Sequence, residues 1–246
     1  MEEKFGGITL DHVIQFQTRI LFGAQYGRIE LAREKTCRDQ LILACLRMGW
    51  NDAFRHVTTN QKDVEKKKKD YEKRAKKNGG KSYDDYYSSI LNNNTILNTF
   101  KAYAYAENTE KKCDIIRQNQ QAIFDVLKEV KVIKSCEKTD KPLCFGHVQK
   151  LFNITVKLYL CVYMCREYLG LEKDLFDENI VNALQFADCP IDSIILERTA
   201  DNPYPNLVWS KIESPEEIRT YTKIQDHFRN QEKNESSLYF DFTHWN

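Results

Sequence analysis

Lys150, Asn153 and Lys157 lie at steps of three and four residues within an otherwise apolar segment, from Phe145 to Arg166. An α-helix has 3.6 residues per turn, so these three side chains fall on one face. Its other faces are apolar, which is typical of a helix at the centre of a domain. Each ammonium group then needs either a carboxylate partner or a functional cleft, unless the lysines snorkel from a seam at the domain edge.

A second candidate element contains Asp192, in the sequence Cys189-Pro190-Ile191-Asp192. Pro190 suits the first position of a helix and predicts a helix start there, with Asp192 in its first turn. Free N–H groups and the helix dipole keep a carboxylate ionised in that turn. The pattern has two interpretations: an ordinary helix start, or an aspartate fixed beside a cleft to stabilise a developing cation.

The elements that position these residues are predicted to be helices. Lys, Glu, Asn, Gln, Leu and Ile are abundant, whereas the 246 residues include only 9 Gly and 5 Pro. We predict an all-α protein with a single compact multi-helix domain around the central helix 145–166. An N-terminal helical region spans residues 1–142, and residues 143–246 carry the candidate site. The aromatic C-terminus, 239–245, is expected to be a short strand or an extended segment over the core, with a platform for a base as the alternative.

A basic insertion interrupts the N-terminal region. Residues 61–81 contain ten Lys or Arg and four Asp or Glu, in a chain of net charge +1. Such a run is either a solvated charged face or a surface that attracts DNA in a salt-dependent way. The nucleic-acid-binding residues expected in this basic arm are Lys66, Lys67, Lys68, Lys69, Lys73, Arg74, Lys76 and Lys77.

The sequence does not indicate a secreted protein, a membrane protein or a metal site. The N-terminus opens with acidic residues and lacks an apolar signal region, and the longest apolar run, 158–165, is too short for a bilayer. We therefore expect a cytoplasmic protein without a membrane partner, with its eight cysteines reduced. Cys144-x-x-His147 offers soft metal ligands, but paired C-x-x-C knuckles are missing, so neither a metal nor another cofactor is predicted. The oligomeric state stays open.

Two resemblances rest on these motifs. The sequence FGHVQK, residues 145–150, followed by PIDSII, residues 190–195, resembles the helix-hairpin-helix DNA glycosylases. Those enzymes have a hairpin glycine, a catalytic lysine and an aspartate in a sequence such as P-V-D-x-x-V-x-R. The wider pattern FGxxQKxxN, CPIDxIIL and WSKIES, with its terminal Trp245-Asn246, resembles a widespread set of small bacterial proteins without an assigned reaction.

The glycosylase resemblance implies Lys150 and Asp192 as catalytic residues. The enzyme would flip a base out of DNA, and Asp192 would stabilise the sugar cation while Lys150 attacks C1′. A modified base, as in phage genomes, is the expected substrate, which suggests a role in anti-phage defence. The expected substrate-binding residues are Gln149, Asn153, Lys157 and Trp209.

The alternative function is a helical binding or adaptor protein without catalysis. In that interpretation Lys150 and Asp192 form a buried ion pair that holds two helices together. An open cleft at the pair favours the enzyme, whereas a sealed pair favours the scaffold.

Overall fold

A computed structural model describes residues 5–9, 12–13, 38–53, 94–129, 143–199, 204, 206–233 and 236–244. These residues confirm the predicted all-α fold, and their only β-type pairing is an isolated bridge between Phe5 and Ile8. The helices are α1 (Arg38–Ala53), α2 (Asn94–Tyr105), α3 (Thr109–Glu129), α4 (Phe145–Met164), α5 (Glu178–Ala183), α6 (Ser193–Arg198), α7 (Pro215–Glu232) and α8 (Leu238–His244). The basic arm 61–81, with its eight expected DNA contacts, lies outside the described residues.

The helix α4 is central, as predicted, and ends two residues earlier than expected. Eighteen of its 20 residues are buried. Among the described helices, α1 makes the most extensive contact with it. A helix buried on all faces has no water for its polar side chains, so these must find partners inside the protein.

The predicted helix start at Pro190 is wrong. The helix α6 begins at Ser193 and Asp192 is its N-cap, because Asp192 Oδ1 accepts a hydrogen bond from the Ile195 N–H at 3.0 Å. A side-chain acceptor at the N-cap satisfies a free backbone donor, which a proline ring cannot do. Pro190 instead lies in an extended stretch from Ala187 to Asp192, which we call the 187–192 segment. Its first five residues are buried.

The expected strand or extended structure at the C-terminus is also wrong, because α8 forms there. The Phe240 ring of α8 stacks on the Phe228 ring of α7, with centroids 4.1 Å apart and planes within 6°. Aromatic residues favour strands on average, but side-chain packing in the folded protein decides. The part of the expectation that holds is burial, since Leu238, Phe240 and Phe242 lie in the core.

Gly49 of α1 lies against α4. A Cβ atom there would be 2.7 Å from Thr155 Oγ1 and 3.1 Å from the Leu151 carbonyl oxygen. We predict that Gly49→Leu lowers the free energy of unfolding by about 3 kcal/mol, the upper end of the usual cost of overpacking. Urea denaturation measures this change, and a Gly49→Leu variant as stable as the wild type would contradict the close packing of α1 on α4.

Candidate functional site

The structure brings Lys150 and Asp192 together. The Lys150 amine lies 3.3 Å from Asp192 Oδ2, while Asp192 Oδ1 caps α6. The carboxylate is thus fixed from two sides, by the end of a helix and by an ammonium group. The Lys150 side chain is 4% exposed and the Asp192 side chain 16% exposed, so the pair reaches solvent through Asp192.

Trp209 covers the Lys150 amine. The amine lies 4.8 Å from the ring centre, within the range of a cation–π interaction. The indole also meets the His147 ring edge-on, with centroids 5.5 Å apart. Because Trp209 is partly exposed, it forms a boundary between the buried amine and solvent.

The residues around Trp209 dock on the first turn of α4. The Phe145 N–H donates to Glu213 Oε2 at 2.7 Å, and the Gly146 N–H donates to the Ile212 carbonyl at 3.0 Å. Both donors belong to the helix start, where backbone N–H groups lack intrahelical partners. A Cβ atom on Gly146 would lie 1.8 Å from the Trp209 carbonyl oxygen, so this contact requires glycine.

Gln149 and Asn153, expected to bind substrate, contact the 187–192 segment. Gln149 Nε2 donates to the Ile191 carbonyl at 3.2 Å, and Asn153 Nδ2 lies 3.3 Å from the Cys189 carbonyl. The two amides are also linked, with 3.1 Å between Asn153 Nδ2 and Gln149 Oε1. Both side chains are fully buried, so their observed role is to supply donors to an extended backbone.

Two buried tyrosines complete the surroundings of Asn153. The Tyr103 hydroxyl donates to Asn153 Oδ1, and Asn153 Nδ2 lies 2.9 Å from the Tyr221 hydroxyl oxygen. Burial, above all, raises the pKa of both tyrosines well above its usual range. The phenols therefore stay neutral and serve as hydrogen-bonding groups.

Lys157, expected to bind substrate, lies in the core instead. Its amine forms an ion pair with Asp241 of α8 and lies 5.0 Å from the Phe242 ring centre. Lys157 and Asp241 are both buried. This lysine joins the central helix to the C-terminal helix.

Sequence reasoning missed a charged cluster around Asp188. Arg229 of α7 donates to Asp188 Oδ1, and the Lys112 amine of α3 lies 3.6 Å from the same oxygen. Burial lowers the pKa of Lys112, and the charge of Asp188 opposes this effect. Charges on an amphipathic helix normally face solvent, so nothing in the sequence of α3 distinguishes Lys112 from its exposed neighbour Lys111.

Cys144 and His147 lie as close together as the residues of a cysteine–histidine catalytic dyad, but the thiol lacks the reactivity of such a dyad. Cys144 Sγ lies 3.1 Å from His147 Nδ1, and the thiol donates to the Ser210 carbonyl at 3.2 Å. Burial raises the pKa of Cys144 to about 11, so the nucleophilic thiolate is scarce at neutral pH. Across the described residues, no three His, Cys, Asp or Glu side chains are grouped to hold a metal ion.

Comparison of the chain with protein-family models, curated proteins and solved structures gave no match. None of the helices in the described ranges is long and apolar enough to cross a bilayer. The function must therefore be argued from the site itself.

The Lys157–Asp241 pair generates a stability prediction. We expect Lys157→Met and Asp241→Leu each to destabilise the protein by about 3 to 5 kcal/mol, because each leaves a buried charge without its partner. The double variant should lose much less, since no charge remains buried. Urea denaturation of all four proteins gives the coupling energy, and strictly additive losses would contradict a direct pair.

Proposed function

We propose that this protein excises a nucleobase, specifically a modified one, from DNA by cleaving its glycosidic bond. The observation that carries the proposal is the geometry of Asp192, which caps α6 and lies 3.3 Å from the Lys150 amine. A fixed carboxylate beside an amine is the pair of groups that this reaction uses.

The chemistry follows from what these two groups do. When the bond between C1′ and the base nitrogen breaks, the base keeps the electron pair and takes up a proton, while positive charge develops on the sugar. A preorganised carboxylate stabilises that charge. Attack of water on C1′, with release of a proton to solvent, then leaves an abasic site. Alternatively, the Lys150 ammonium gives its proton to the departing base, the neutral amine forms a bond to C1′, and opening of the sugar ring gives a Schiff base.

Solvent exposure of the carboxylate distinguishes the Lys150–Asp192 pair from two similar pairs, Lys112–Asp188 and Lys157–Asp241. Among the described residues, three buried lysines each pair with an aspartate and approach an aromatic ring. The exposed fraction of the carboxylate side chain is 0% for Asp188, 2% for Asp241 and 16% for Asp192. Asp192 is the most exposed of these three carboxylates, and this difference supports a chemical role.

Trp209 and the basic arm are proposed to bind the DNA. An indole at the solvent boundary is a suitable surface for stacking a flipped base, and such stacking contributes about 1 to 3 kcal/mol per base. The lysines of the basic arm would add salt-dependent attraction to phosphates. Hypermodified bases of phage DNA are the proposed substrates, which corresponds to a cytoplasmic role in anti-phage defence.

A second candidate function is a non-catalytic helical binding protein. The observation that favours it is the burial of the Lys150 amine between Asp192 and the Trp209 ring. In this case the pair links α4 to the start of α6 and has no substrate.

An excision assay separates the two candidates. We predict that the wild-type protein forms abasic sites in DNA containing hypermodified phage cytosines, and that Asp192→Asn abolishes this activity. Asparagine retains the N-cap but lacks the charge that stabilises the sugar cation. Aldehyde-reactive labelling of the DNA measures abasic sites, and borohydride trapping measures a Schiff base, which Lys150→Ala should eliminate.

The matched control is Lys101→Gln, because Lys101 also pairs with an aspartate, Asp39, but on α1 and α2. This variant should retain wild-type activity. If the folded wild-type protein forms no abasic sites in plain or phage DNA, the glycosylase proposal is wrong and the binding protein is favoured.

A further inference from the structure

We infer that Asp188 and Arg229 are positioning residues, which set the place of Asp192 through the 187–192 segment. The inference rests on the proposed function of the Lys150–Asp192 pair. Neither residue touches that pair in the contacts described above.

Asp188 is the anchor at the start of the segment. Its Oδ1 accepts hydrogen bonds from Arg229 of α7 and, at 2.8 Å, from the Thr109 hydroxyl at the start of α3. The Lys112 amine is 3.6 Å away. The Asp188 side chain is fully buried, so helices on two sides fix the position of this carboxylate.

The next residue is held through its backbone. The Cys189 N–H donates to Gln225 Oε1 at 2.9 Å, and Gln225 Nε2 donates to the Cys189 carbonyl at 2.8 Å. One glutamine side chain thereby pairs with this residue as a neighbouring strand would. Gln225 and Arg229 lie one turn apart on α7, so a single helix face holds both residues.

The backbone of the 187–192 segment links the position of Asp188 to that of Asp192. Pro190 restricts its own backbone φ angle, and Gln149 binds the carbonyl of Ile191. Only three residues separate Asp188 from Asp192, and none of them lies in a helix. We therefore expect a shift of Asp188 to displace Asp192 relative to the Lys150 amine on α4.

Removal of the Arg229 side chain tests whether Asp188 positions Asp192. Asp188 Oδ2 is buried and receives no hydrogen bond from the described residues, so the carboxylate depends on the donors at Oδ1. Without Arg229, it retains Thr109 and Lys112. We expect the Asp188 end of the segment to loosen, while the Lys157–Asp241 pair, between α4 and α8, stays closed.

Competitive acetylation of lysines in the 246-residue chain, without DNA, measures the accessibility of Lys150 and of Lys157 separately. Acetic anhydride modifies free amines, and mass spectrometry gives the rate at Lys150 relative to the exposed Lys223. Arg229→Gln should raise the Lys150 rate about tenfold, because a hydrogen bond to a charged group contributes enough to shift an opening equilibrium by that factor. The rate at Lys157 should not change, and Arg229→Lys should largely restore protection of Lys150.

Two outcomes would overturn the inference: an unchanged Lys150 rate, or equal rises at Lys150 and Lys157, which indicate general loosening. If Arg229→Gln does not fold, Thr109→Val removes a neutral donor from the same carboxylate and should give a smaller rise confined to Lys150. Because labelling needs no DNA, it can succeed or fail whether or not excision occurs. Where excision is measurable, Arg229→Gln should lower kcat and leave KM unchanged.

Discussion

The 187–192 segment must have its backbone groups paired, because it is extended and mostly buried and no strand lies beside it among the described residues. Its backbone N–H and C=O groups must be paired away from water, as buried backbone groups almost always are. Side chains meet the requirement: Gln225 binds both backbone groups of Cys189, and Gln149 and Asn153 donate to carbonyls of the segment. Gln149 and Asn153 on the central helix bind this backbone, whereas Lys157 on the same helix pairs with Asp241 of α8.

Charged side chains bind the 187–192 segment near both of its ends. Asp188 at one end of the segment is bound by Arg229 and Lys112, and Asp192 at the other end is paired with Lys150. Buried ion pairs add little net stability compared with apolar packing, although breaking one is costly. We propose that the lysine–aspartate pair near solvent, Lys150 with Asp192, serves chemistry and not stability.

Features of the fold and the site could be predicted from the sequence where the local residue pattern and the packing in the folded protein favour the same structure. Helical periodicity gave the position of α4, and the alternative in which Lys150 and Asp192 form an ion pair agrees with their observed separation of 3.3 Å. The start of α6 was misplaced because the side-chain cap of Asp192 overrode the preference of Pro190 for a first helical turn. The structure of α8 and the role of Lys112 depend on contacts with distant segments, which no local pattern contains.

The central claim is our proposal that the Lys150–Asp192 pair serves chemistry, and its testable consequence is that folding does not require the pair. Urea denaturation of the double variant Lys150→Met, Asp192→Asn tests it most directly, because both charges are removed while asparagine keeps the N-cap of α6. The account predicts a free energy of unfolding within about 1 kcal/mol of the wild type. A loss of about 3 kcal/mol or more would show that the pair is a structural element of the core and would contradict the account.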